Sequence, residues 1–388
     1  MKTVPLGDHV EILSGFAFKS ERFNNDGRGL PLVRIRDVKP ATSQTYYDGE
    51  YDRRFLLSDG DLLVGMDGEF NCARWAGGNA LLNQRVCRVR AVSKFLYEQY
   101  LFWFLPKALK DIEQKSNFVT VKHLSAKQIN EIEIPLPPLE EQKRIAAILD
   151  QADELRRKRQ RALDRLNQLG QAIFIEMFGD PKTNPKGLPW ASLGEVAEFY
   201  SGNSLPEGDP FSGQEDGYLL LKVSDLNHPA NQHDISCAAM WSALPGSRAG
   251  TCPSNALIFP KRGGAIGTNK KRWLKRSAIL DPNLMGVRPD ERRLTMSFLL
   301  GWFETFNLSD IASGSSVPQL NKQDLAPLDL ALPPLDQQRA FEERMEAIGS
   351  MRASLGESYS CALRLFAALQ NRAFRGELTA AILKEAAP

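Results

Sequence analysis

The sequence predicts an α+β fold. Two similar globular units are joined by two long antiparallel helices, an intramolecular coiled coil with an approximate two-fold axis. Three observations lead there. First, residues 137–180 read as one long helix: Pro137-Pro138 stiffen its entry, and Glu140 and Glu141 place negative charge in the first turn, where the helix dipole favours it. Second, a shift of 196 residues carries Leu136-Pro-Pro-Leu-Glu-Glu-Gln-Lys143 onto Leu332-Pro-Pro-Leu-Asp-Gln-Gln-Arg339, and in the same register Val121 onto Val317, Leu124 onto Leu320 and Phe178 onto Phe374. One register kept over so long a stretch marks a duplicated unit. Third, a helix of this length spans about 60 Å, whereas the eleven residues Asp180 to Trp190 reach at most roughly 36–40 Å. The antiparallel pairing is therefore strongly preferred, and it puts the globular units at opposite ends of a rod.

The elements follow in order. Residues 1–136 form the first unit. Leu6 to Gly15 is a short strand ending in a glycine turn, and Leu30 to Val38 alternates as a half-buried strand with Arg34 and Arg36 on its outer face. Asp61 to Gly65 and Leu81 to Arg90 are further strand candidates; Lys94 to Gln114 has helical spacing; Ser116 to Ile134 passes through a polar loop into a last strand. Residues 137–180 are the first long helix. Its seam is Ile145, Ile148, Ala152, Leu155, Ala162, Leu166, Leu169 and Ile173, with one fault at Arg159. After a linker at 181–187, residues 188–333 repeat the programme: Leu193 to Gly202 matches Leu6 to Gly15, and Tyr218 to Leu226 matches Leu30 to Val38. The shift grows from 187 to 196 along the unit, so the second copy has gained residues between its landmarks. The second long helix occupies 334–376, with Ile348, Met351, Leu355, Leu365 and Leu369 on its seam, and a tail follows at 377–388. Gly349 and Gly356 each cost about 1 kcal/mol in a helix interior, so a bend or fraying is expected there.

Composition narrows the chemistry. The chain has 388 residues and a net charge of +2, so an anionic partner must be argued from local clustering. Its five cysteines are scattered without metal-ligand spacing. The N-terminus lacks the apolar run of a signal peptide, and no stretch is apolar enough to span a bilayer, so no membrane contact and a cytoplasmic location are expected. No GxxxxGK[ST] loop and no glycine-rich nucleotide fingerprint occurs.

With its paired LPPLEEQ and LPPLDQQ junctions, the helices that follow them, and the openings LGDHVEILSG and LGEVAEFYSG, the sequence resembles the DNA-specificity subunits of type I restriction–modification enzymes over essentially its whole length. The resemblance implies that each globular unit is a target-recognition domain reading one half of a bipartite site in double-stranded DNA. It implies that the helices act as ruler and dock for two methyltransferase subunits, and that restriction subunits with translocase activity join a larger complex. The chain itself would be non-catalytic; S-adenosylmethionine, ATP and Mg²⁺ would belong to the partner subunits.

Local chemistry supports DNA independently. The run from Lys261 to Arg276 carries seven cations, no acid and three glycines, which suits a mobile loop on phosphates; a solvated hairpin is the alternative. Arginine reads guanine, and asparagine or glutamine reads adenine. The candidate DNA contacts are Arg34, Arg36, Gln84, Arg85, Asn117 and Lys122 in the first unit, and Lys222, Lys261, Arg262, Asn269, Lys270, Lys271, Arg272, Gln319 and Lys322 in the second. His123 and Gln319 fall at equivalent positions with different chemistry. Arg156, Arg157, Lys158, Arg159 and Arg161 lie mid-helix, facing spacer phosphates, a partner or solvent. Two rivals remain: a protein-interaction scaffold that never touches DNA, and a nuclease using Asp61, Asp67 and Glu69, although the surrounding glycines favour a turn there.

Overall fold

In the computed structural model, residues 2–115, 123–314 and 317–378 are described. The chain divides into two compact units, Met1–Arg159 with Ser358–Pro388, and Gln160–Glu357. Each mixes strands and helices, and each owns half of both long helices.

The first unit holds two sheets. A four-stranded antiparallel sheet runs in the order Val10–Ser14, Val86–Ala91, Leu62–Gly65, Cys72–Arg74. A five-stranded sheet runs Phe23–Asn24, Tyr46–Tyr47, Leu30–Val33, Ala80–Leu82, Leu56–Leu57, with Leu30–Val33 and Ala80–Leu82 parallel. The second unit repeats the plan. Its matching sheets run Ala197–Ser201, Leu284–Pro289, Ala256–Pro260, Arg272–Leu274, Asp234–Ile235, and Asp209–Pro210, Met240–Ser242, Tyr218–Leu221, Ala278–Leu280, Thr251–Cys252. In each unit a two-stranded ribbon, Thr3–Pro5 with Glu133–Pro135 or Trp190–Ser192 with Asp329–Ala331, leads into the long helix.

Two strand expectations are corrected. The strand at Leu30 stops at Val33 and a helical turn, Ile35–Val38, follows. The reason is the Asp37 carboxylate, which accepts the Arg34 N–H at 2.9 Å and caps the turn. Asp225 does the same for Lys222 at 2.8 Å, ending its strand at Leu221. Arg34 and Arg36 are therefore not alternating strand residues. The segment Leu81 to Arg90 is likewise two strands, broken at Asn83 to Arg85, where Asn83 C=O accepts the Val86 N–H at 2.9 Å.

The long helices are Leu139–Phe178 and Leu335–Arg375, 40 and 41 residues without a break. The second runs through Gly349 and Gly356 uninterrupted. Their pairing is antiparallel within each unit. In the first unit Arg159 Nε donates to Ser358 Oγ at 2.7 Å and the Arg156 guanidinium lies 5.4 Å from the Phe366 ring. In the second, Phe174 and Phe178 pack 5.6 and 5.5 Å from Phe341, and Gly170 leaves room for the Met345 methyl.

Buried Gln142 and Gln338 fasten the helix entries. Gln142 Nε2 donates to Phe95 O and Pro137 O at 2.7 and 2.8 Å, while its Oε1 accepts the Tyr97 N–H at 2.8 Å. Gln338 donates to Arg293 O and Pro333 O at 2.9 and 2.8 Å and accepts the Thr295 N–H at 2.8 Å.

The seam is where sequence and structure part. Ile145 and Ile348 are buried, and Ile148, Ala152, Leu166, Ile173, Leu355 and Leu369 are half-buried. Leu155, Leu169, Met351 and Leu365, expected between the helices, are instead 41–54 % exposed. Phe341 and Ala362, which the 196-residue shift also places on the seam, are buried, and Leu149, Asp153, Gly170, Phe174 and Ala373 are buried off it. A strict heptad repeat drifts around a straight helix by about 20° per heptad, so the expected stripe leaves the contact line.

Candidate nucleic-acid interface

The basic run from Lys261 to Arg276 is not a mobile loop. It folds as a 3-10 turn, Gly263–Thr268, followed by the strand Arg272–Leu274. Most of its cations are held internally. The buried Lys261 Nζ donates to Ser201 Oγ. Lys271, also buried, donates to Phe303 O and Phe306 O at 2.6 and 2.7 Å, and burial lowers its pKa. Arg272 Nε donates to Asn231 O at 3.1 Å, Lys270 Nζ donates to Asn227 Oδ1, and Arg276 Nη2 donates to Asp216 O at 3.0 Å. Asn269 sits in the left-handed region at φ 51° and its Oδ1 accepts the Leu308 N–H at 2.9 Å. These residues build the scaffold. The exception is Arg262, which is exposed and has no hydrogen-bond or ion-pair partner among the described residues.

The other candidates are dispersed. Lys222 is exposed beside its capped turn, and Lys322 is exposed with its ammonium 5.7 Å from the Phe199 ring. Arg36 Nη2 donates to Thr45 Oγ1 at 3.0 Å, and Arg34 is exposed. Asn117 and Lys122 lie outside the described residues. On the first long helix Arg156 and Arg157 close on the buried Asp153 at 2.5 and 2.6 Å, and Lys158 pairs with Glu154 at 2.8 Å. Two acids of the nuclease alternative, Asp61 and Asp67, are paired too. Asp61 faces Arg90 at 3.0 Å and Arg88 at 3.7 Å. Among the described residues no group of three or more His, Cys, Asp or Glu side chains is placed to hold a metal ion.

One place gathers several candidates. In the first unit an isolated antiparallel bridge joins Asp67 to His123. Asp67 holds Arg85 Nη1 at 3.0 Å with one oxygen and His123 Nδ1 at 2.6 Å with the other. Beside Arg85 lies exposed Gln84, whose N–H donates to Phe16 O at 3.0 Å, and Phe16 presents 49 % of its surface to solvent. The second unit has the same bridge between Arg262 and Gln319. Sequence reasoning found Gln84, Arg85, Arg262 and Gln319 but missed Phe16, Asn203 and Asn283. An aromatic directly after the duplicated Ser-Gly turn was the available signal for Phe16. No helix among the described residues is long and apolar enough to cross a membrane.

Comparisons with known proteins agree on one family. Residues 1–165 match the model of the type I restriction modification DNA specificity domain. The chain is 28 % identical to the type I restriction enzyme EcoBI specificity subunit of Escherichia coli, over 96 % of this chain and 85 % of that protein. It is 23 % identical to the MjaVIII specificity subunit of Methanocaldococcus jannaschii, over 90 % of this chain and 86 % of that one. Among solved structures the fold matches a type I restriction–modification S subunit from M. genitalium with a TM-score of 0.57 at 13 % identity, covering 96 % of each chain. A chain from a type I restriction–modification complex matches with a TM-score of 0.54 at 19 % identity, covering 97 % of this chain and 98 % of that one.

Proposed function

We propose that the chain is a type I restriction–modification DNA specificity subunit, which reads a bipartite site in double-stranded DNA and docks the subunits that act on it. The observation that carries the reading is the doubled scaffold: one backbone plan occurs twice, with different side chains at its matching bridges. A scaffold for one protein partner gives no reason for such divergence, whereas two half-sites of different sequence require it. Two methyltransferase subunits are the partners, joined by restriction subunits in the larger assembly. The exposed Leu155, Leu169, Met351 and Leu365 on the long helices support docking there, since apolar surface on a helix gains by being covered.

The chain is non-catalytic in this reading. Asp61 and Asp67 are tied up with arginines, and S-adenosylmethionine, ATP and Mg²⁺ are held by the partners. The assembly works on cytoplasmic DNA. The test is to co-express the chain with the methyltransferase of its own system in a host free of DNA methylation, and to map methylated adenines. A motif in two separated halves is expected, with binding that falls steeply between low and moderate salt. A single contiguous motif, or binding indifferent to salt, overturns the reading.

A further inference from the structure

The two units share a backbone frame in hydrogen-bonded detail. In the first, Phe16 N–H donates to Leu82 O at 3.0 Å, Met66 N–H to Arg85 O at 2.9 Å, Val86 N–H to Asn83 O at 2.9 Å and Leu124 N–H to Met66 O at 2.7 Å. In the second, Asn203 N–H donates to Leu280 O at 2.9 Å, Lys261 N–H to Asn283 O at 2.7 Å, Leu284 N–H to Asp281 O at 3.0 Å and Leu320 N–H to Lys261 O at 2.9 Å. The bonds correspond one to one. They therefore equate Phe16 with Asn203, Gln84 with Pro282, Arg85 with Asn283, Asp67 with Arg262 and His123 with Gln319.

On this common frame the side chains are exchanged. The first unit offers an exposed aromatic ring, an amide, and a guanidinium held by an acid. The second offers amides at Asn203, Asn283 and Gln319, with its guanidinium moved to the position of that acid. Gln84, Arg262, Asn283 and Gln319 have no side-chain hydrogen bond among the described residues, although the cations around Arg262 are bonded internally. Unsatisfied side-chain donors and acceptors, set in each unit on the same hydrogen-bonded backbone frame, are what base-edge readout needs.

Resting on the proposed function, we infer that this frame is the base-reading edge of each head. Arg85 and Arg262 each donate a fork to a guanine, one in each half-site. Gln84 in the first unit, and Gln319 with Asn283 in the second, address adenines. Phe16 meets a thymine methyl or an opened base step. Asp67 is a positioning residue: it touches no base and fixes the plane of the Arg85 guanidinium through Nη1. Lysine cannot replace either arginine, because an ammonium lacks the planar fork.

The experiment uses the assembled complex of chain and methyltransferase subunits, with duplexes carrying the motif mapped for the wild type or single substitutions in either half. Arg85→Lys and Arg262→Lys keep the charge. Each is expected to lower discrimination at a guanine of one half-site on the order of tenfold, leaving the other half-site and the salt dependence unchanged. Arg85→Ala and Arg262→Ala should do the same. A variant that weakens binding equally to every duplex marks a phosphate contact and overturns the inference, as does unchanged discrimination in both lysine variants. If the wild-type complex itself shows no motif, the functional reading fails instead.

Discussion

Gln142 and Gln338 stand 196 positions apart and close the same ring of hydrogen bonds, each amide bridging the residue before its helix to a loop of its own globular unit. Both side chains are fully buried, so the pair explains why the Leu-Pro-Pro-Leu junction carries an invariant glutamine in the two copies. Replacing either by leucine strands a buried N–H and two carbonyls. Gln142→Leu and Gln338→Leu should each destabilise their own unit by about 2–4 kcal/mol. Amide exchange reports this: the Tyr97 N–H loses protection in the first variant and the Thr295 N–H in the second. Full protection in both would mean the clamp is incidental.

Arg159 puts a charge between the helices and finds a hydroxyl rather than a carboxylate, and its Nη1 is buried with no partner. Removing a poorly satisfied buried charge is often neutral or favourable. Arg159→Leu should leave the melting temperature of the isolated chain unchanged or raise it by a few degrees; a marked drop would show that the Ser358 contact matters more than its desolvation.

The second long helix carries two glycines with open space where a Cβ would go. Gly349→Ala and Gly356→Ala should each add about 1 kcal/mol of stability. Urea denaturation of the double variant, compared with the singles, reads both the sign and the additivity.

Lys271 and Arg262 lie in one basic run and do opposite work. Lys271→Ala removes the donor for the Phe303 and Phe306 carbonyls and should lower the melting temperature of the second unit. Arg262→Ala should change stability by less than about 0.5 kcal/mol, as an unpartnered surface side chain does, while weakening the complex with DNA. Equal melting curves for the two variants would contradict this division.

Thiol reactivity offers a check on burial. Burial pushes the Cys87 thiol up to about 12 and raises that of Cys252, whereas Cys361 is exposed. A thiolate-seeking disulfide reagent at neutral pH should modify Cys361 quickly, and Cys87 and Cys252 only as the chain unfolds.

Much of the fold was legible because the duplication repeats its own landmarks. The Leu-Pro-Pro-Leu junctions and the Ser-Gly turns after Leu13 and Tyr200 mark the same points in both units. What was illegible depended on partners distant in the chain. Nothing near Lys271 announces that Phe303 and Phe306 offer it carbonyls, so its charge read as available. Arg34 and Arg36 alternate like strand residues, and only the aspartate that follows them decides for a turn. The seam was misplaced at Leu155 and Leu169 because a heptad count assumes a supercoil, while Gly170 meets Met345 and Phe174 meets Phe341 across the pair. At the proposed base-reading edge Arg85 and Gln319 were visible singly. Asn203 and Asn283 joined them only when backbone bonds equated them with Phe16 and Arg85.

The frame shared by the two heads is closed by main-chain groups, and this has a bearing on heredity. A codon change at Asn283 or Gln319 leaves those bonds in place, so folding does not police such positions and, on the proposed reading, selection acts on them through the genome alone. A lineage could revise one half of its recognised word in a single step, and the daughter cell would then find its own chromosome marked in the old dialect.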